Sequence, residues 1–422
     1  MLGNISKNHS SDIRRLIENF FSLAILQGVT YVLPLVTMPY LVRVLGVEKF
    51  GLIAFAQSFI QYFIIITDYG FDLSATRSIA INRYNEEKIQ EIVSSVCIIK
   101  LMLMSICFFA LVLSIVLVPQ FNGNGSIYLL TFGMVLGNIL FPTWFFQGME
   151  SMKYITVLNI LAKLIFTVFI FVIVRSPDDY IYVPEITSLG YIISGLISMW
   201  IIFTRFKVKL CLPTIKIILS YFHESTHFFL SRVSVSIYTS SNVFFLGLFV
   251  NAQMAGYYSV AEKLYSALCS LYQPLNSGLY PYMSKTKNIG FYKKLFLLAC
   301  TINTGICACF YFFSDDLISI LCGEYFQLTK AVFKILLITV IIIVPSTLLG
   351  YPFLAALGYA KYVNNSVIMA SIIHLIVLLV FSMFWSINIF IVAWMVLATQ
   401  IIVFVFRIYP IYKNKLWDMK TY

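Results

Sequence analysis

Apolar runs of about twenty residues follow one another along this chain with only short polar gaps, and that repetition constrains the fold more than any single motif. About twenty apolar residues in a helix cross the hydrocarbon of a bilayer. Twelve such runs are read at residues 16–42, 50–76, 92–118, 126–148, 154–174, 180–204, 226–250, 254–283, 292–313, 329–356, 362–384 and 387–410. Charged residues make up 11% of the 422 positions and hydrophobic ones 60%, against roughly 25% charged in a soluble domain. An all-α polytopic membrane protein is expected. Residues 1–15 are polar, and the run after them passes residue 40 without a small-residue cleavage site, so no secretory signal peptide is expected.

The net charge of +11 follows from topology. With the N-terminus in the cytoplasm, twenty of the 29 Lys and Arg residues fall in cytoplasmic segments, four on the opposite side and five inside spans. That bias obeys the positive-inside rule and places both termini in the cytoplasm. No basic block is interleaved with base-stacking aromatics in a polar domain, so nucleic acid is not an expected partner.

Two weak repeats divide the chain. Gly51 to Gln57 reads like Gly256 to Glu262, and Pro142 with Gly148 and Lys153-Tyr154 echoes Pro352 with Gly358 and Lys361-Tyr362, at offsets near 205 and 210. Two six-helix bundles are expected, residues 1–204 and 226–422, joined by a cytoplasmic segment 205–225 in which PTIKIILSYF can lie on the membrane surface. Six crossings per half give both halves one orientation, hence a pseudo-twofold along the membrane normal. Prolines 34, 39, 142, 274, 281, 345 and 352 fall within spans; each removes a backbone donor and bends its helix. Gly133 and Gly137 form a GxxxG pair suited to close helix contact.

Polar residues inside the spans mark candidate sites. Residues 226–250 carry Arg232 among Ser231, Ser234, Ser236, Tyr238, Thr239, Ser240, Ser241 and Asn242. A guanidinium in hydrocarbon costs about 3 kcal/mol or considerably more unless water, a partner or an anion meets it. This segment therefore reads as one wall of an aqueous cavity. Lys163 and Lys263 lie deep in their spans, Lys100 is shallower, and Lys334 is near enough to an edge to snorkel. The deep cations either line the cavity or pair with carboxylates such as Glu262 or Glu224.

Span 2 ends in TDYGFDLSATRSIA, where Asp68 and Asp72 share a face of a continuous helix and Arg77 follows. The cluster is either a gate or a packing lock, and Glu150 lies at a similar cytoplasmic end. Tyr238, Tyr257, Tyr258 and Trp144 are candidates for a sugar-stacking surface, with core packing the commoner role for such residues. His374 reads as a satisfied buried imidazole rather than a proton relay. The eight cysteines show no CxxC pair and form neither a disulfide framework nor a metal site by spacing.

PLVTMPYLVRVLGVEKFG, TDYGFDLSATRSIA, FPTWFFQGMESMKY, SRVSVSIYTSSNVFFLG and AGYYSVAEKLY together resemble the Wzx-type O-antigen flippases, polysaccharide transporters of the multidrug/oligosaccharidyl-lipid/polysaccharide (MOP) exporter superfamily. The resemblance covers nearly the whole chain. It implies a MATE-like fold and movement of undecaprenyl-pyrophosphate-linked oligosaccharide from the cytoplasmic to the periplasmic leaflet of a bacterial inner membrane. It further implies an ion gradient, H⁺ or Na⁺, as driving force, no other cofactor, membrane lipids as surroundings, and the O-antigen polymerase and chain-length regulator as partners of a monomer. Arg232, Lys263, Lys163 and Lys100 are the expected substrate-binding cations. Asp68, Asp72, Arg77, Glu150, Glu224 and Glu262 are the expected gate or ion-coupling residues, and no catalytic or metal-binding residue is expected.

Two other classes compete. A cation-coupled multidrug exporter of the same fold favours buried carboxylates over buried cations, so the cation-rich spans argue against it. A membrane-embedded glycan polymerase or acyltransferase calls for a large outer loop or an exposed His, Asp or Arg constellation; the outer loops here are short and hold no His.

Overall fold

The computed structural model describes the backbone of residues 2–324 and 326–418, and side chains at 28, 32–226, 228, 229, 233, 240–324 and 326–417. Among the described residues all regular structure is helical. The first half contains α1 (Leu2–Asp68), α2 (Phe71–Ile81), α3 (Glu86–Leu117), α4 (Gly125–Leu140), α5 (Thr143–Gly148), α6 (Met152–Ile173) and α7 (Tyr182–Thr204). The second contains α8 (Ile215–Phe249), α9 (Ala252–Ser270), α10 (Gln273–Thr286), α11 (Ile289–Phe312), α12 (Ser314–Cys322), α13 (Gln327–Leu348), α14 (Ala360–Phe384) and α15 (Ile389–Lys413). Each of the twelve expected runs coincides with helix. Nine stretches among the described residues are long and apolar enough to cross a membrane, one of them, Val32–Ile81, covering parts of two expected spans. The chain is a multi-pass membrane protein.

Asparagine sets many of the helix starts. Asn85, Asn251, Asn288 and Asn388 each accept a backbone N–H of the first turn of α3, α9, α11 and α15, meeting donors that have no intrahelical partner. α3 shows why composition points to lipid. Ile92, Val96, Ile99, Cys107 and Leu111 recur at helical spacing on its buried face, while Met102, Ile106, Phe109, Leu113 and Val116 are exposed. A helix apolar all round sits in hydrocarbon.

Several expected continuous spans are broken. α1 kinks at Gly46, whose φ of 73° and ψ of 166° suit a residue without Cβ. Tyr69 and Gly70, at φ 41° and 75°, end α1 at Asp68 and restart the chain as α2. Asp68 and Asp72 therefore do not share a helical face as expected. The fourth expected span stops at Leu140 and resumes after Pro142 as α5, the eighth divides between α9 and α10, and the tenth passes from α13 into a π turn, Leu349–Ala355, at Gly350 and Pro352. Breaks near 46, 70 and 141 in the first half answer breaks near 251, 272 and 350 in the second, close to the spacing of the sequence repeats. Prolines 281 and 345, by contrast, sit inside helices.

The chain divides into two compact units, Met1–Thr37 with Phe59–Val233, and Met38–Ser58 with Ser234–Tyr422. Against the expected halves, residues 38–58 go with the second unit, and the connector 205–225 and residues 226–233 with the first. Close backbone contact explains the first difference. A Cβ on Gly51 would overlap the Ala252 carbonyl and one on Gly256 the Val47 carbonyl, so the two repeat-related glycines let α1 and α9 touch main chain to main chain. The connector is held by Tyr221, which donates to Glu91 at 3.0 Å, by the Ser74–Ser225 hydroxyl pair at 2.7 Å and by Tyr69, stacked between Phe222 and Phe229 at 4.4 and 4.5 Å.

In the first unit α4 packs on α7. The expected close contact at Gly133 and Gly137 is present, because a Cβ on either would run into Ser188 or Tyr191. The core at one end of this unit gathers Phe71, Ile79, Val93, Trp144, Phe145, Phe146 and Ile202. Between the spans at residues 175–179, the Asp179 carboxylate accepts the backbone N–H groups of Arg175 and Ser176 and the Ser176 hydroxyl. Those hydrogen bonds, the Arg175 one foremost, hold its carboxyl below the usual carboxylate range.

Candidate functional site

Lys163 lies at the middle of α6, eleven residues from Met152 and ten from Ile173, or about 15 Å from either end at 1.5 Å per residue. It is half-buried and has no hydrogen bond or ion pair among the described residues. Asn159 and Thr167 lie one turn to either side on the same face, since residues four apart on a helix are neighbours. Asn159 donates to the Ile155 carbonyl, and the buried Thr167 hydroxyl has no partner. One stripe of α6 thus carries an uncompensated cation and a free hydroxyl at mid-depth.

In the second unit the Lys263 ammonium sits over the Phe50 ring, 4.8 Å from its centroid, a cation–π arrangement. Its neighbour Glu262 is half-buried on α9. Asn242 Oδ1 on α8 lies 3.1 Å from Nε2 of His374 on α14, whose Nδ1 is 2.8 Å from Thr399 Oγ1 on α15. The expectation of a satisfied imidazole holds, since both ring nitrogens have partners. The Arg232 side chain lies outside the described residues.

Lys100 differs from the other deep cations. It is 2% exposed and its Nζ is 2.8 Å from Asp68 Oδ1. Asp72 is half-buried on α2, and Arg77 and Glu224 are exposed. Glu150, at a positive φ of 53°, pairs with Arg83 at 2.9 Å, and Arg83 also donates to the Gly148 carbonyl. The structure thus joins Asp68 with Lys100, pairs Glu150 with Arg83 and sets Glu262 beside Lys263.

The stacking-surface candidates are corrected by packing. Trp144 and Tyr258 are each 1% exposed and Tyr257 is buried, so their rings fill cores; Tyr238 lies outside the described side chains. Arg407, counted by position among the cytoplasmic cations, is buried. It donates to the Ser346 carbonyl at 2.6 Å and to the Ser366 hydroxyl at 3.3 Å. The kink at Gly350 takes that residue's backbone out of helical geometry, and the guanidinium occupies the carbonyl one turn back. Nothing in FRIYP announces this role, because the partners are 41 and 61 residues away.

The model of the polysaccharide biosynthesis protein family matches residues 16–287. A relative from Escherichia coli strain K12, named "Putative O-antigen transporter", is 33% identical over 272 residues, 64% of this chain and 65% of the relative. The match thus spans just under two thirds of that protein's length. A protein of the same name from Shigella dysenteriae is 29% identical over 368 residues, 85% of this chain and 91% of the relative. Among solved structures, the lipid II flippase MurJ in an inward closed conformation gives a TM-score of 0.74 at 14% identity, covering 96% of this chain and 89% of that one. An inward-facing multidrug resistance MATE family transporter of the MOP superfamily gives 0.70 at 13% identity, covering 91% and 95%. These likenesses show the fold and bear out the expected MATE-like architecture. The family match and the two relatives likewise bear out the resemblance carried by the motifs: this chain belongs to the polysaccharide biosynthesis protein family.

Proposed function

We propose that this protein is a flippase for undecaprenyl-pyrophosphate-linked O-antigen oligosaccharide, moving it from the cytoplasmic to the periplasmic leaflet of a bacterial inner membrane. The observation that carries the reading is Lys163, a mid-span cation with no protein partner among the described residues, one turn from an unpartnered hydroxyl. An ammonium at that depth needs water or an anion. A pyrophosphate supplies the anion, and charge-assisted hydrogen bonds from buried basic groups replace the hydration it gives up. Lys163, Lys263 and Arg232 are the head-group ligands in this reading. Lys100 is set apart because Asp68 already meets its charge. The names of the relatives from Escherichia coli and Shigella dysenteriae support an O-antigen substrate, and the MurJ-like fold supports a lipid-linked one. The chain acts by alternating access as a carrier rather than an enzyme, with both termini cytoplasmic. It delivers units to the polymerase and chain-length regulator.

The test is complementation of a deletion strain. Lys163→Ala and Lys263→Ala, each expressed at normal level, are expected to abolish the surface O-antigen ladder and leave lipid-linked units in the cytoplasmic leaflet, while Lys→Arg at either position retains part of it. Full complementation by both Ala variants removes the anion site. A deletion that leaves O-antigen intact and sensitises cells to cationic drugs assigns the chain to drug export instead.

A further inference from the structure

We propose that Tyr280 and Tyr351 form a saccharide-binding corner in the second unit and, resting on the flippase reading, that it holds the sugars of the lipid-linked unit. Trp144, Tyr257 and Tyr258, the described rings expected to stack on sugar, are buried. Tyr280 and Tyr351 are not. Their ring centroids lie 6.2 Å apart with the planes at 86°, and after this contact Tyr280 is still 41% exposed and Tyr351 53%. Two rings meeting near a right angle present a face and an edge to one ligand. Aromatic faces take up the C–H side of a pyranose, and its hydroxyls then need donors and acceptors close by.

Exposed tyrosine also marks the rim of a bilayer, so the surroundings of these rings decide between sugar and lipid. Tyr280 lies on α10, Gln273–Thr286, the half of the eighth expected span that follows its break. Gln273, Ser277, Tyr280 and Ser284 are all exposed, and their spacing of four, three and four sets them on one stripe of the helix. No Leu, Ile, Val, Met or Phe of α10 is exposed, in contrast to the Met, Ile, Phe, Leu and Val on the outer side of α3. A helix face of that composition belongs against water. Pro281, inside the helix, has no N–H to give the Ser277 carbonyl, and a Cβ on Gly278 would meet nothing within 4 Å. This side of α10 is therefore open and supplies acceptors.

Tyr351 comes from the π turn Leu349–Ala355, and its hydroxyl donates to Oδ1 of Asn364 on α14 at 2.7 Å. That bond aims the ring and leaves the amide N–H groups of the exposed Asn364 pointing to solvent as donors. Both walls of the corner thus belong to interrupted spans, where carriers place their substrate sites. Charged groups flank the corner without forming it: Lys285 lies five residues beyond Tyr280, and Lys361 three before Asn364. Rings, amides and hydroxyls without formal charge complement a neutral, polyhydroxylated ligand. The diphosphate stays with the deep cations.

Native mass spectrometry of the detergent-solubilised full-length protein tests the corner. The protein is mixed with equal amounts of undecaprenyl-pyrophosphate-linked oligosaccharide and undecaprenyl pyrophosphate without sugar, and the ratio of the two bound lipids is read. Wild type is expected to favour the glycosylated lipid, and Tyr280→Ala or Tyr351→Ala to lower the ratio about tenfold, the scale of one aromatic contact. Tyr351→Phe keeps the ring and releases it from Asn364, so a smaller fall is expected. Tyr412→Ala, which removes an exposed tyrosine from the last turn of α15, is expected to leave the ratio unchanged. Bare lipid counted in the same spectrum shows that each variant is folded. A wild-type ratio of one, or an equal fall in Tyr412→Ala, overturns the corner.

Saturation-transfer NMR with the free oligosaccharide, cleaved from its lipid by mild acid, separates the corner from the flippase reading. A signal with wild type and none with Tyr280→Ala/Tyr351→Ala is expected. That pattern in a protein that binds neither lipid keeps the corner and removes the flippase reading. Both lipids bound at a ratio of one, with no saccharide signal, does the reverse. Binding of neither lipid nor saccharide removes both.

Discussion

Lys100 and Lys163 look alike in the sequence, each a lone cation in an apolar run, and the structure gives them different work. Lys100 is locked to Asp68, and removing one member of a buried pair leaves the other charge uncompensated, typically at about 3 kcal/mol or more. Lys100→Met is therefore expected to lower stability by about 3 kcal/mol, less whatever solvent reaches Asp68, while Lys100→Met with Asp68→Asn recovers most of that loss. Thermal unfolding of the purified variants in detergent checks this, and a double variant no more stable than the single one shows that the pair is not what holds α3 against the end of α1. Lys163→Ala removes no hydrogen bond or ion pair among the described residues, so its midpoint is expected to stay near wild type while transport is lost. What separated the two lysines was not readable in one dimension. The depth of a cation follows from its place in an apolar run, but its partner depends on where a helix ends, and Asp68 faces Lys100 where α1 stops.

That stop shows how far the chain's elements were legible. Runs of apolar residues announced every spanning helix but not the short α12, Ser314–Cys322, which lies between two of them, because length and hydropathy alone decide whether a segment belongs in hydrocarbon. The internal breaks were only half visible. Gly70 and Pro142 are turn residues, yet they fall inside runs of spanning length, and Pro345 has the same local signature without breaking its helix. A break persists where something satisfies the carbonyls it frees, and those partners come from other elements. Pro352 offers no N–H to the Leu348 carbonyl, and Tyr292 of α11 donates its hydroxyl there at 2.8 Å. Its ring stacks on Phe353 with centroids 4.7 Å apart. Tyr292→Phe keeps the ring and deletes the donor, leaving a buried carbonyl unmet, which costs about 1–3 kcal/mol. A lowered unfolding midpoint with faster amide exchange over residues 346–356 is the expected result. Unchanged exchange there means that water or a shifted neighbour replaces the hydroxyl. The same logic explains why the Asn242–His374–Thr399 contact escaped notice, since its three members come from three helices.

At the scale of the whole molecule, charge decides direction. A carrier for a cytoplasmically assembled substrate must be inserted so that loading happens on the side where the substrate is made, and the bilayer reads orientation from short loops rich in Lys and Arg. Burial of Arg407 removes one cation from the cytoplasmic tally, leaving nineteen against four. The bias is therefore robust to the one residue that packing reassigns. The segments at 205–216 and 285–294 hold eight of those cations, whereas the loop at 175–179 has Arg175 alone beside Asp178 and Asp179, the latter kept ionised by its backbone donors. A fluorescent protein fused after the C-terminal residue is expected to glow and alkaline phosphatase there to be inactive, whereas phosphatase inserted at 176–178 is expected to be active. Adding four lysines at 176–178 weakens the bias and is expected to lower the fraction of correctly inserted chains without altering any spanning helix. An active C-terminal phosphatase reverses the orientation, and with it the side from which Lys163 would have to take up its cargo.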